Sequence, residues 1–275
     1  MPSHFSTIGM PVESAEDLEQ LCERAAEDAE EISCPAGRYI RWSSAQGAEL
    51  WMQVDNSNEL VGVTPYFHAR SEFVVGITTE INRPDETALE GAVHGWAEPQ
   101  EDDPESGICP VVFDLVDKGW YQPFAFPFVS KVRLSAFAHD LDLHDSEEAY
   151  FAAQDGEMKF AAESFIPSGL FSFDEEDPGQ PQSIALFSGH ILEADRLSNP
   201  LTGFDYFRFC VQTLGGTIDV LADPELVGKQ PIVGGVLSGT FWLCGRILEP
   251  KYAAKKGVLY RLFGRESAGV AGREA

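Results

Sequence analysis

From Ser14 the chain reads as an amphipathic helix. Leu18, Leu21, Cys22, Ala25, Ala26 and Ala29 recur at three- and four-residue spacing and mark one apolar face, while the opposite face is almost wholly acidic. Ser14 stands where an N-cap is needed, and Glu16 and Asp17 suit the positive end of a helix. The predicted helix covers 14–32 and follows an apolar-rich stretch, 4–12, that reads as a strand. After Pro35-Ala36-Gly37 the period changes to two: Tyr39, Arg41 and Ser43 alternate with Ile40 and Trp42. Gln46-Gly47 then turns the chain into a second alternating run, so 37–55 reads as a hairpin.

From residue 70 onward, short β-branched and aromatic runs recur between Gly and Pro residues, the pattern of a barrel or sandwich. The main helical candidate there is 145–154, with Asp145 as cap and Glu148 three residues on. A faint internal repeat pairs Gly91 and the turn 104–107 with Gly189 and the turn 200–203. It also pairs Leu134-Ser135-Ala136-Phe137 with Leu237-Ser238-Gly239-Thr240-Phe241, at an offset of about a hundred residues. The expected fold class is α+β, mostly β: an N-terminal βαβββ module (1–69), then two related antiparallel β-barrel or sandwich units. The first unit spans 70–174 and carries the short helix, the second spans 183–250, and a basic tail covers 251–275. The acidic, Pro- and Gly-rich stretch 175–182 is the expected linker, and 101–106 an exposed loop. In strand number and length the second unit is similar to a five-stranded oligonucleotide/oligosaccharide-binding (OB) barrel.

The order of the first 55 residues, closed by the hairpin GRYIRWSSAQGAELWMQVD, resembles one βαβββ module of the glyoxalase / vicinal-oxygen-chelate superfamily. The resemblance covers 4–55. It implies a metal site with a His on the first strand and a Glu on the last. Here His4 lies further from the helix than that pattern wants, Trp51 stands where the Glu is expected, and Glu49 is in another register. The resemblance therefore implies the module's shape without its metal ligands.

Acidic residues outnumber basic ones 45 to 19, for a net charge of −26. That balance argues against nucleic acid, whose binding draws on Lys and Arg displacing counterions, and against an anionic membrane surface. Five scattered cysteines without a CxxC pair read as reduced thiols, and no signal peptide or membrane-length apolar run is apparent, so the expected location is cytoplasmic. The tail reverses the charge trend with Lys251, Lys255, Lys256, Arg261, Arg265 and Arg273. It is expected to fold back on the acidic body, with docking on a protein partner or a second copy as the alternative.

Two constellations bear on function. As a strand, 137–145 would place Asp140, Asp142 and His144 on one face and His139, Leu141 and Leu143 on the other. Such a face suits a divalent cation such as zinc, manganese or iron, or is a polar strand face whose paired acids are relieved by Arg133 or Arg246. Trp120, Tyr121, Phe124, Phe126 and Phe128 fall within nine residues, as core or as an exposed ligand platform. No GxSxG or phosphate-loop pattern occurs, and GGVLSG lacks the Lys-Ser/Thr ending. The expected function is that of a non-catalytic binding or accessory protein without a cofactor. The alternatives are a metal-dependent enzyme using Asp140, Asp142 and His144 on a small molecule, and, last, single-strand nucleic acid binding.

Overall fold

A computed structural model of the chain describes residues 3–84, 86–100, 103–121, 123–156, 159–170 and 180–251. Helix α1 (Ala15–Ala26) starts on a reciprocal cap: Ser14 Oγ accepts from the Asp17 backbone N–H, and the Asp17 carboxylate accepts from the Ser14 N–H. Its apolar face buries Leu21, Cys22 and Ala25. The helix is shorter than the acidic periodicity suggested. Residues Glu30–Cys34 leave it and pair as strand β1 with β2 (Gly37–Ser43), which pairs with β3 (Ala48–Asp55) and then β4 (Leu60–Phe67) in an antiparallel meander. Glu30 and Glu31 thus charge the sheet edge, which discourages pairing with another chain.

Residues 4–12 form no strand. The hydroxyls of Ser6 and Thr7 donate to the carbonyls of Ser3 and His4 (2.9 and 2.7 Å), and a 3-10 turn at Ser6–Ile8 ends on Gly9 at φ 71°. Short polar side chains here satisfy the backbone locally and outcompete a strand. The observed order is a helix followed by four strands, not βαβββ.

Ten further strands form the second sheet. Their bounds are β5 (Phe73–Ile81), β6 (Ala92–Ala97), β7 (Cys109–Leu115), β8 (Phe128–Ala138), β9 (Asp142–His144), β10 (Ser164–Ile166), β11 (Ile184–Ser198), β12 (Asp205–Thr213), β13 (Gly216–Ala222) and β14 (Val236–Ile247). Pairing in the order β5-β6-β7-β14-β11-β12-β13-β8 closes an eight-strand barrel. Within it, β8 and β14 also pair with each other, from Val132↔Ile247 to Ala136↔Leu243. The strands β5–β8 and β11–β14 are paired alike. In each set the first strand pairs with the second and the fourth, and the third runs parallel to the fourth strand of the other set.

Each half of the barrel is therefore closed by a long strand from the other half, so the two β-units are not separate bodies. Topology matches β6 with β12 and β7 with β13. The repeat read from the sequence instead sets 90–98 beside part of β11 and 108–117 beside β12, one strand out of step; only its match of β8 with β14 follows the pairing.

The barrel core is aromatic, with Phe73, Phe113, Phe187, Phe209 and Phe241 buried among aliphatic side chains. A second core lies between meander and barrel. There Tyr39, Trp51, Tyr66 and Phe67 pack on Phe137, Tyr206, Leu221 and Cys244, so β8 and β14 are buried on both faces. Helix α2 (Glu147–Ala153) is capped by Ser146, whose hydroxyl accepts from Ala149 N, and not by Asp145, which pairs with Lys229. The five cysteines are free thiols. No helix among the described residues is long and apolar enough to cross a membrane. Of the expected linker, 175–179 lie outside the described residues, as does the basic tail after Lys251.

Candidate functional site

The run from β8 into β9 follows one edge of β14, so Asp140, Asp142 and His144 stand along Val236–Thr240. They line a cleft of about 450 Å³ shared with Tyr150 and Gln154 from α2 and its end, Phe160, and Leu186 on β11. Leu141 and Leu143 face the barrel core, as the alternation implied. The acids are placed by the backbone: Asp140 Oδ1 accepts from the Thr240 N–H (3.0 Å), and Asp142 and His144 pair in register with Ser238 and Val236. Phe160 is 53% exposed and Leu186 is exposed as well, so the cleft offers apolar surface beside its carboxylates. Among the described residues, no Lys or Arg lines it.

The hydroxyls at its base are held by the fold. Ser188 Oγ donates to Ala161 O (2.8 Å), lies 2.8 Å from Ser164 Oγ and accepts from Tyr150 OH (3.2 Å). Gln154 bonds the Phe160 backbone at both N–H and C=O. Among the described residues, no group of three or more His, Cys, Asp and Glu side chains is placed to hold a metal ion. Asp140, Asp142 and His144 share a cleft wall without converging on one point. Neither arginine expected beside them is there: Arg133 Nη1 lies 2.8 Å from His68 Nε2, and Arg246 Nε donates to Asp117 Oδ2 (2.7 Å).

His139, on the opposite face, meets His4 with Nε2 to Nε2 at 2.7 Å, and His4 stacks on Trp242 at 4.4 Å. One ring must donate and the other accept, so the two are not both cationic. Burial, with His139 alongside, pushes the His4 pKa down to about 4. These two contacts of His4 tie the N-terminal turn to the barrel, and Trp242 Nε1 is itself fixed by donating to Asp114 Oδ2 (2.6 Å).

The aromatic run is divided. Trp120 is 50% exposed, Tyr121 and Phe128 are buried, and Phe124 and Phe126 pack partly buried on the barrel core, their rings 4.9 Å apart. Only Trp120 of these five residues presents a half-exposed ring. With Tyr121 it lines a second cleft, of about 400 Å³, whose remaining wall is Arg133, Arg246, Ile247, Leu248 and Pro250. Behind that wall Tyr121 OH donates to Asp117 Oδ2 (2.7 Å), Trp51 Nε1 donates to Glu49 Oε2 (2.7 Å), and the guanidinium of Arg246 lies 5.1 Å from the centre of the Trp51 ring. Sequence reasoning named Arg133 and Arg246 only as counter-ions for Asp140 and Asp142, and it missed Asp117. No local spacing marks them, because they are joined only by the pairing of β8 with β14.

No protein-family model, no curated protein and no solved structure matches this chain.

Proposed function

We propose that this is a non-catalytic binding protein whose ligand occupies the acid-lined cleft, and that this ligand is a small amine-bearing molecule with an apolar or aromatic body. The observation that carries the reading is the lining itself: Asp140 and Asp142 beside the exposed Phe160 and Leu186, in about 450 Å³, with no Lys or Arg among the described lining residues to oppose a cation. Pockets of this size suit small ligands, and aromatic faces with carboxylates favour cations over anions. A binding role is further supported by the hydroxyls of Tyr150, Ser164 and Ser188 and the amide of Gln154, which are engaged in structural hydrogen bonds.

Isothermal titration with benzylamine tests the reading, with benzyl alcohol as the uncharged control. Saturable binding at one site is expected for benzylamine. In Asp142→Asn it should weaken by about fivefold, the scale of one partly screened charge contact. Equal binding of the alcohol, or unchanged affinity in Asp142→Asn, overturns it.

A further inference from the structure

The second cleft has the opposite character. Arg133 and Arg246 are directly opposed across the β8–β14 pair, and both line the cleft. Like charges set opposite one another on paired strands repel, so the arrangement calls for a counter-charge. Arg246 has one in Asp117, at 2.7 Å. Arg133 has no carboxylate within 4 Å among the described residues, and its side chain meets the imidazole of His68.

The acids nearby neutralise this region incompletely. Asp117 and Glu49 are both almost fully buried and already engaged, Asp117 by Arg246 and Tyr121, Glu49 by Trp51 and, at 3.9 Å, Arg41, so neither lies on Arg133. His68 reports the balance from the other side. Burial first, then the guanidinium groups of Arg133, Arg246 and Arg41, hold its pKa below the usual imidazole value. A chain of net charge −26 therefore carries a cationic recess, roofed by the half-exposed indole of Trp120.

We infer that this cleft is a second ligand site, for a small organic anion: a carboxylate or phosphate group on a planar, apolar body. The anionic head sits between Arg133 and Arg246, where the planar guanidinium fork matches two oxygens of a carboxylate or phosphate. The body lies against Trp120. The site is separate from the acid-lined cleft, with which it shares no lining residue.

The test is a titration with phenyl phosphate followed by tryptophan fluorescence, with benzoate as the carboxylate arm and benzyl alcohol as the uncharged control. Saturable quenching by at least one of the two anions is expected. Its affinity should fall at least tenfold in Arg133→Met and stay unchanged in Asp142→Asn, which alters only the other cleft. Arg133→Met removes the like-charge opposition and keeps the apolar stem, so its melting midpoint in anion-free buffer is expected to equal or exceed that of the parent. If that variant does not fold, Trp120→Ala decides, followed by isothermal titration because the reporting ring is gone; the ring is half outside the protein and its loss should weaken binding by a similar factor. Absence of saturation by both anions, equal quenching by benzyl alcohol, or parent-like affinity in the folded Arg133→Met protein overturns the inference.

Discussion

Asp219 is a buried carboxylate that joins Arg208 to the chain entering the barrel. It sits on β13 with 0% exposure and accepts from Arg208 Nε at 2.6 Å and from the backbone N–H groups of Arg70 and Ser71 at 2.9 Å each. Arg208 is itself 1% exposed, and its Nη1 also meets Glu193 and Asp195, both of which reach solvent. Replacing Asp219 with Ala leaves a buried guanidinium without its inner partner and two backbone donors without an acceptor. Breaking a buried pair from one side costs about 3–5 kcal/mol, whereas a solvent-exposed pair contributes about 0–1 kcal/mol. Urea unfolding followed by tryptophan fluorescence should show that loss in Asp219→Ala with an unchanged dependence on denaturant. In a chain of this size each kcal/mol moves the melting midpoint by about 2–4 °C, so the fall should be roughly 6–20 °C. Glu193→Ala, which removes only an outer partner, should cost about 1 kcal/mol or less. A loss under about 1 kcal/mol for Asp219→Ala, or equal losses for the two variants, refutes this reasoning. The site matters because Arg70 and Ser71 lie where the chain passes from meander to barrel, so Asp219 fixes that junction.

Three further outcomes are expected. His4 is held neutral in the fold, with a pKa of about 4 against an ordinary 6.5. The unfolded chain therefore binds the extra proton first, and His4's share of stability is lost as pH falls from about 6.5 towards 4. Urea midpoints between pH 4.5 and 7.5 should show a smaller acid loss in His4→Phe than in the parent, and parallel curves would contradict this. Ser14→Ala removes the cap of α1 and should cost about 1 kcal/mol by the same assay; no change would mean that the cap bonds carry no stability. Phe241→Ala opens a void beside Phe187, whose ring lies 4.1 Å away, and should cost about 3–5 kcal/mol in thermal unfolding, a cost under 1 kcal/mol being the contrary result.

What the sequence made legible was local. The Ser14 cap, the apolar face of α1 and the hairpin across Gln46-Gly47 follow from spacing and turn chemistry, and the structure places all three within a few residues of expectation. The mostly β character after residue 70 was also readable from short runs between Gly and Pro. Misreadings came where short polar side chains or tertiary pairing overrode the pattern. The stretch 4–12 is apolar enough for a strand but coils through Ser6 and Thr7, and Glu30–Cys34 looked like more acidic helix until β2 paired with it. The barrel's closure was not legible at all. It depends on β8 and β14 each serving both halves, a contact between residues more than a hundred positions apart. The same cause divided the sites. Asp140, Asp142 and His144 lie within five residues and stood out as a group, while Arg133 and Arg246 become neighbours only when those strands pair.

The central claim is that two clefts of opposite charge preference lie on one barrel. A crystal structure grown with benzylamine and phenyl phosphate together tests it most directly. The account expects the ammonium group beside Asp142, with its ring against Phe160, and the phosphate between Arg133 and Arg246, with its ring against Trp120. Finding both molecules in one cleft, the two exchanged, or neither bound in either place would contradict it.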